Sequence, residues 1–280
     1  MNQVVGRFDL ALIVLDTLRF DVAQEEWAAG RTPNLARLLP PSGWDRRHAP
    51  GTFTYASLHA FLAGFLPTPA RPGRHPRRLA LRFEGSETTS TATAVLDGAT
   101  VVEGLAARGY YSICVGGVGF FNQRNPLGRV LPGLFDEAHW SPAMGVTDRR
   151  SFEHQTACAA AALAAVPDDR RVFLLVDVSA LHQPNHFYLP DHPPVDSRAS
   201  HAAALRHVDA GFGELVAAIA ASGPAFAIVC SDHGTAYGED GYRGHRLAHD
   251  TVTTVPYAEC FVTPRPGGGW EADPVTWSRR

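Results

Sequence analysis

Short apolar runs recur along this chain and are separated by stretches whose apolar residues have helical spacing. The apolar runs stand at positions 8–15, 110–115, 171–178, 227–230 and 254–262. Runs of this length that are rich in β-branched residues are typical of interior strands of a parallel sheet. Their alternation with helices predicts an α/β fold with a parallel sheet and helices on both of its faces.

The stretches between these runs carry recognisable helix signals. Helices are predicted from these signals at 32–39, 54–64, 101–108, 151–166 and 201–221. Thr32 with the proline after it is a good start for the first helix, and Gly109 supplies the C-cap of the third. Residues 67–96 and 116–150 lack such periodicity. We therefore expect them to be two surface excursions from a single domain that spans residues 1–280.

Polar residues stand at the carboxyl ends of several predicted strands. Asp16 follows the first run, and His182 follows the third. Asp232 and His233 come directly after the fourth run. Open α/β sheets bind ligands at this edge, and an adjacent carboxylate and imidazole can hold a divalent metal. Each residue also has an ordinary structural interpretation, because Asp16 could cap the next turn and Gly234 would allow a sharp turn after the pair.

A hydroxyl and one more histidine complete the candidate set. Thr54 stands where the predicted helix 54–64 begins, beside the free N–H groups and the positive dipole end. That position suits an oxygen that handles an anionic ester. The structural alternative is that Thr52 or Thr54 is the N-cap of this helix. His245 follows a glycine in a loop, where a lone histidine is more often simply solvated.

Composition narrows the possible functions. The formal net charge of −3 offers no electrostatic case for nucleic acid or an anionic membrane surface. All 25 basic residues are arginine, which excludes lysine Schiff bases and P-loop lysines. Three cysteines, Cys114, Cys230 and Cys260, lie in apolar runs, so we expect buried free thiols. The apolar run from Leu10 to Leu15 is too short for a signal sequence or a membrane span, so the sequence predicts a cytoplasmic protein.

Several short motifs follow one another along most of the chain. They are Asp16-Thr-Leu-Arg19, Thr32-Pro-Asn-Leu35, Thr54-x-x-Ser57 running to Leu62-Ala-Gly-Phe-Leu-Pro67, His182-x-Pro184, the segment 204–211, Ser231-Asp-His-Gly234, and Gly244-His245 leading to Val255-Pro256. In this order and spacing, the chain resembles the sulfatase-like branch of the alkaline phosphatase superfamily. The resemblance implies an α/β fold of the alkaline phosphatase-like kind, a three-layer α/β/α sandwich with a mostly parallel central sheet.

The resemblance also implies roles for particular residues. The implied metal ligands are Asp16, Thr54, Asp232, His233 and, if a second ion binds, His245. Thr54 would also be the nucleophile, and His182 and His245 would face the transferred group. Mixed histidine and carboxylate ligands favour Zn²⁺, with Mn²⁺ as the alternative, as one or two ions. Arg19, Arg243 or Arg246 could clamp a phosphate, although arginines beside metal ligands can equally be surface charges.

Three departures from the family pattern bear on the substrate. Sulfatases proper carry a Cys or Ser that matures to formylglycine in a C/S-x-P-S-R signature, where this chain has Thr54-Tyr-Ala-Ser-Leu58. They use active-site lysines, which this chain lacks, and a second aspartate where it has Thr17. The threonine is more similar to the phosphoethanolamine transferases and lipoteichoic acid synthases, which are membrane-anchored.

The sequence therefore predicts a metal-dependent hydrolase or transferase that acts on a phosphoester or phosphonoester. Thr54 would form a phospho-threonine intermediate, and the substrate would be a small-molecule anionic ester, with no nucleic acid or membrane partner. One alternative is a sulfatase-type sulfuric ester hydrolase without formylglycine. The other is a non-catalytic metal-dependent binding protein, in which Thr54 would serve only as an N-cap.

Overall fold

The fold is built around one eight-stranded sheet, as seen in a computed structural model that describes residues 3–64, 99–189 and 193–276. The strands of this sheet are β1 (Asp9–Leu15), β2 (Asp45–His48), β3 (Tyr110–Val115), β4 (Glu137–His139), β5 (Arg171–Val178), β6 (Ala225–Cys230), β9 (Thr254–Pro264) and β10 (Trp270–Pro274). Their order is β10-β9-β6-β1-β5-β3-β4, and β2 also pairs with β9. A separate two-stranded ribbon joins β7 (Ala236–Tyr237) to β8 (Arg243–Gly244).

Five neighbouring strands at the centre of the sheet, from β6 to β4, run parallel. All five predicted strand positions coincide with strands of the sheet, and two of them, β3 and β5, have the predicted bounds. The edge formed by β9, β10 and β2 is antiparallel. The sheet is therefore mostly parallel, as predicted, but the run at 254–262 is not the last strand, because β10 follows it.

The helices cover both faces of the sheet. They are α1 (Phe20–Ala28), α2 (Pro33–Ala36), α3 (Thr54–Ala63), α4 (Val101–Ala106), α5 (Pro126–Val130), α6 (Ser151–Ala165), α7 (Arg198–Ser222) and α8 (Asp250–Thr253). One buried cluster packs α1, α6 and α7 against the first face, and the other packs α3 and α4 against the second face. This is the predicted three-layer arrangement.

Alternation along the strands produces the two clusters. In β1, Ile13 and Leu15 belong to the cluster under α7, whereas Leu10 and Val14 belong to the cluster under α3. Successive side chains of a strand point to opposite faces, so a strand buried on both sides is apolar throughout. The unbroken apolar runs of the sequence are the consequence of this double burial.

The start of α2 is held by a carboxylate from another helix. Thr32 is the N-cap residue of α2, but its side chain makes no capping hydrogen bond. The backbone N–H groups of Asn34 and Leu35 donate instead to Asp209 of α7, at 3.3 and 2.8 Å. The helix is also shorter than predicted, since it ends at Ala36. The Thr-Pro-Asn-Leu motif thus serves as a docking point between helices.

The remaining predictions about chain organisation have mixed outcomes. The segment 116–150 contains α5 and β4, so it adds an edge strand to the sheet. Segment 67–96 lies outside the described residues. All four cysteines are free, and Cys114, Cys230 and Cys260 are buried, as predicted. In the described ranges, no helix combines the length and apolar character that a membrane crossing requires.

Candidate active site

Three aspartates emerge on one face of the sheet, at the carboxyl ends of adjacent strands. β1 lies between β5 and β6, and Val14 pairs with Asp177 on one side and with Cys230 on the other. Asp16 and Asp232 each lie two residues beyond such a pair, so alternation directs them to the same face as Asp177. All three side chains are fully buried, with 0% exposure. The α3 helix covers this same face.

Asp16, Asp232 and His233 form a compact group that could hold a metal ion, with one ligand atom from each lying within 4.8 Å of the others. Nε2 of His233 is 3.3 Å from Oδ2 of Asp232 and 3.7 Å from Oδ1 of Asp16. Tetrahedral ligands at the distances usual for zinc lie roughly 3.3 Å apart, so these separations suit one ion. Among the described residues, both oxygens of Asp16 and Oδ2 of Asp232 are buried without a hydrogen-bond partner of standard geometry. Buried oxygens without partners are what a cation site requires.

His233 is oriented for metal binding by its neighbour. Its Nδ1 donates a hydrogen bond of 2.8 Å to the carbonyl oxygen of Gly234. A carbonyl oxygen only accepts, so Nδ1 carries the proton and the lone pair of Nε2 faces the carboxylates. Gly234 is needed for close approach and not, as predicted, for a sharp turn, because a Cβ there would lie 2.0 Å from the carbonyl oxygen of Thr251.

Thr54 lies at the first position of α3, and its hydroxyl reaches the metal group. Its Oγ1 is 3.4 Å from Nε2 of His233, and the side chain is buried. The N-cap residue is Phe53, and no side chain makes a capping hydrogen bond. The expectation that Thr52 or Thr54 caps this helix was therefore wrong. The buried Thr54 hydroxyl has its contact in the site, beside the free N–H groups of the helix N-terminus.

Without a cation, burial and mutual repulsion disfavour ionisation of the carboxyl groups of Asp16, Asp177 and Asp232. Burial raises the pKa of Asp16 well above its usual range, and the charges of Asp232 and Asp177 raise it further. Burial raises the pKa of Asp177 to about 8. Burial likewise raises the pKa of Asp232 to about 6, although hydrogen bonds from backbone N–H groups, including those of Thr17 and His233, partly offset the effect. An opposite charge favours the ionised form of a carboxyl group, so a divalent cation here would stabilise the carboxylates.

Two further histidines lie next to His233. The ring of His245 is 4.6 Å from that of His233 and 5.3 Å from that of His182, centroid to centroid. Burial lowers the pKa of His245 to about 3, lowers the pKa of His233 to about 4 and also lowers the pKa of His182. The rings are therefore neutral at pH 7. Nδ1 of His245 is buried and has no partner among the described residues, which leaves it available to a ligand.

The predicted arginines occupy different surroundings. Arg246 is exposed, its backbone N–H donates to the carbonyl oxygen of Thr52 at 2.8 Å, and its guanidinium lies 5.4 Å from the centre of the Phe53 ring. The positive charge of Arg246 therefore lies beside the start of α3. Arg19 is buried, and its guanidinium pairs with Asp21 and Glu239.

These contacts give Arg19 a scaffolding role instead of the predicted role of phosphate clamp. Its guanidinium joins the start of α1 to the loop that follows His233, since Nη1 also donates to the carbonyl oxygen of Thr235. A guanidinium whose donors are already taken by two carboxylates is not free to hold a substrate.

Asp177 was not among the predicted site residues. It is the penultimate residue of β5, at the same edge of the sheet as Asp16 and Asp232. Its Oδ2 accepts hydrogen bonds from the backbone N–H groups of Gly117 and Val118, both at 3.3 Å, and its Oδ1 has no partner among the described residues. Because another residue follows it in β5, the sequence did not mark it as a strand end.

No family model matches this chain, and no curated protein matches it either. Several solved structures match the chain. The C-terminal periplasmic domain of the phosphoethanolamine transferase EptC from Campylobacter jejuni is 13% identical with a TM-score of 0.58, covering 90% of this chain and 78% of that one. The corresponding EptC domain from Escherichia coli, a complex with Zn, is 13% identical with a TM-score of 0.61, covering 90% and 73%. An alkaline phosphatase superfamily protein from Vibrio parahaemolyticus is 17% identical with a TM-score of 0.55, covering 90% and 60%.

These similarities correct one prediction and confirm another. The prediction of a cytoplasmic protein is contradicted, because the two EptC structures are periplasmic domains. That prediction rested on a short apolar run near the N-terminus, which describes one segment and not the compartment in which the domain works. At these identities the similarity concerns the fold, and it agrees with the strand order and the layers of the structure. The chain therefore shares its α/β fold with these phosphoethanolamine transferase domains and with the alkaline phosphatase superfamily protein, and this is the fold that the resemblance of its motifs implies.

Proposed function

We propose that this protein is a metal-dependent enzyme that hydrolyses or transfers a phosphoester or phosphonoester through Thr54. The observation that supports this proposal is the hydroxyl of Thr54, 3.4 Å from Nε2 of His233 in a buried centre that also contains Asp16 and Asp232. In this proposal the four residues hold the metal. Zn²⁺ suits the donor set, with Mn²⁺ as the alternative, and the similar domain from Escherichia coli is a complex with Zn.

Thr54 is the nucleophile in this mechanism. Its Oγ1 loses a proton and forms a bond to phosphorus, and the bond from phosphorus to the leaving oxygen breaks as that oxygen gains a proton. Water or an acceptor alcohol then displaces Thr54 in the same manner. When bound, the metal lowers the pKa of a coordinated hydroxyl and offsets the charge of the phosphoryl oxygens. The N-terminus of α3 adds its dipole in the same direction.

The neighbouring residues would bind the transferred group. His245 is neutral, so it can donate an N–H hydrogen bond to a non-bridging oxygen or hold a second ion. In neutral His182 the proton is on Nδ1, which donates to the carbonyl oxygen of Gln183, so its Nε2 can accept a hydrogen bond from the substrate or hold a second ion. Arg246 supplies the positive charge that faces a small anionic ester. The two EptC structures are domains of phosphoethanolamine transferases, which supports an ester of phosphoric acid over one of sulfuric acid. Their periplasmic origin supports the same compartment for this chain.

The proposal is tested with a bis-p-nitrophenyl phosphodiester and Zn²⁺ or Mn²⁺. We expect turnover, and we expect protein quenched in acid to carry one p-nitrophenylphosphoryl group on the peptide that contains Thr54, with one p-nitrophenol released for each group bound. Thr54→Ser should retain measurable turnover, whereas Thr54→Ala should have none. Because Thr54 does not cap α3, the alanine variant should melt close to the wild type when both are metal-free. Thr52→Ala is the matched control and should remain active.

Three results would contradict this assignment. They are an active Thr54→Ala protein, a phosphoryl group on Thr52 or Ser57, and equal turnover of p-nitrophenyl sulfate. The last result would favour the sulfuric ester hydrolase. Stoichiometric metal binding without turnover of any ester would favour the non-catalytic binding protein, because the metal group would then be retained for recognition alone.

A further inference from the structure

Thr17 has an unusual backbone conformation in the middle of the candidate site. It follows Asp16, is fully buried and has a φ of 62°. This region of φ is a genuine outlier for a β-branched residue. Such conformations persist where the surroundings hold them in place, and they concentrate at functional sites. The contacts of Thr17 show what holds it.

The backbone N–H of Thr17 orients one of the metal-binding carboxylates. It donates to Oδ1 of Asp232 at 3.2 Å, and the N–H of His233 donates to the same oxygen at 2.9 Å. The other oxygen of Asp232, Oδ2, has no hydrogen-bond partner among the described residues and lies 3.3 Å from Nε2 of His233. The two N–H groups therefore hold Oδ1 and direct Oδ2 toward the metal group.

The side chain of Thr17 orients the turn that carries His182. Its hydroxyl donates to the carbonyl oxygen of Leu181 at 3.2 Å, and Nδ2 of Asn185 donates to the same carbonyl at 3.0 Å. His182 follows directly, and its Nδ1 donates to the carbonyl oxygen of Gln183. Together these bonds hold the backbone and the ring of His182, which faces the ring of His245.

We propose that Thr17 is a positioning residue that joins the two halves of the site, and this inference rests on the proposed function. Asp232 follows β6 and His182 follows β5, on opposite sides of β1 in the sheet. Thr17 follows β1, so it lies between them. The positive φ of Thr17 directs its backbone N–H toward Asp232, while its hydroxyl reaches the carbonyl oxygen of Leu181, next to His182. Asp232 in the metal group and His182, which would face the substrate, are thereby held in a fixed relative position.

The test compares Thr17→Ala with Thr17→Ser, since only the serine variant keeps a hydroxyl. Both keep the N–H that binds Asp232, so both should bind Zn²⁺ within about threefold of the wild type, measured by titration of metal-free protein. In Thr17→Ala the ring signals of His182 in the NMR spectrum of metal-free protein should shift. Its kcat should also fall about tenfold, which corresponds to one lost hydrogen bond. Thr17→Ser should restore both. Thr156→Ala, which removes a buried hydroxyl that has no partner among the described residues, should change neither.

The outcomes separate this inference from the proposed function. If the His182 signals are the same in Thr17→Ala and wild type, or if Thr17→Ser fails to restore them, the positioning role is wrong. If Thr17→Ala does not fold, the Thr17→Ser spectrum decides alone, because a positioning hydroxyl requires its His182 signals to match those of the wild type. If the wild type turns over no ester while the signals shift as expected, the proposed function fails and the positioning role stands. The NMR spectra and the zinc titrations are recorded without substrate, so they test the positioning role even if the protein has no activity.

Discussion

Replacing Asp232 by asparagine should stabilise the metal-free protein while removing its response to metal. Burial raises the pKa of this carboxyl from 3.8 to about 6. Each pKa unit corresponds to about 1.4 kcal/mol, so ionisation of Asp232 at pH 8 costs the metal-free folded protein about 3 kcal/mol. An amide carries no charge and avoids this cost. Its oxygen can still accept from the N–H groups of Thr17 and His233.

The sign of the pH dependence follows from the same shift. Between pH 4 and 6 the folded protein binds a proton at Asp232 that the unfolded chain has released, so the stability of the metal-free wild type falls as pH rises. The penalty is complete above about pH 6 and vanishes below about pH 4. Asp177, with its pKa raised to about 8 by burial and by the charge of Asp232, extends the fall in stability to higher pH, and does so less in the variant, which lacks that charge. The advantage of Asp232→Asn should therefore grow from pH 4 to about pH 8 and then level off.

The assay is urea denaturation at several pH values, with EDTA or with excess Zn²⁺. In EDTA at pH 8, Asp232→Asn should unfold at a higher urea concentration than the wild type. With free Zn²⁺ at about 100 times its Kd, the wild type should gain about 2.7 kcal/mol and the variant far less. The exposed Asp169→Asn is the control and should match the wild type in both conditions. Lower stability of Asp232→Asn in EDTA at pH 8, or a full response to Zn²⁺, would refute the placement of a buried metal-binding carboxylate here.

Three further variants separate structural from functional roles. His245→Ala should leave the melting temperature of metal-free protein within about 2 °C of wild type, because Nδ1 has no hydrogen-bond partner in the part of the chain that the structure describes, while kcat falls at least about a hundredfold. A large melting loss in a calorimetric scan would indicate a structural histidine. Arg246→Gly should raise the free energy of unfolding by about 1 kcal/mol, since glycine adopts the observed φ of 72° without strain, while kcat/KM falls about tenfold or more. Unchanged kcat/KM would show that the guanidinium does not bind substrate. Arg19→Met should lower the free energy of unfolding by about 2 kcal/mol or more, through lost pairs with Asp21 and Glu239, and leave KM unchanged. A raised KM with an unchanged free energy of unfolding would show that Arg19 binds substrate.

Elements buried on both faces could be predicted closely, and exposed elements could not. The strands β3 and β5 have the predicted bounds because nearly every residue in them is apolar. The edge strand β2 has the sequence Asp-Arg-Arg-His and is largely exposed, so it has no apolar run to identify it. β10 begins with the buried Trp270 and then alternates exposed and half-buried residues over its remaining four positions. Their pairing with β9 is set by that neighbour and not by their own composition.

Roles at helix termini and in ion pairs were also beyond the reach of local patterns. Thr32 and Thr54 both stand where a capping threonine is common, yet neither side chain caps its helix. Asp209 of α7 serves α2 instead, and the Thr54 hydroxyl contacts His233. Arg19 seemed available to a phosphate because only one of its two carboxylate partners, Asp21, is close in the sequence, whereas Glu239 is 220 positions away. In each case the side chain or helix terminus contacts a residue that is distant in the sequence, and this contact cannot be read from the neighbouring residues.

The sequence by itself determined the α/β class, the positions of the inner strands and the polar residues at their carboxyl ends. It could do so because burial on both faces of a sheet demands apolar runs, and because parallel strands end at a common edge. Only the tertiary structure decided which of those polar groups meet. Thr54 and His233 are 179 positions apart, and Thr17 and Asp232 are 215 apart. Their contacts arise from the order of strands in the sheet and from the packing of α3 against one face, since pairing between distant segments is a property of the whole chain.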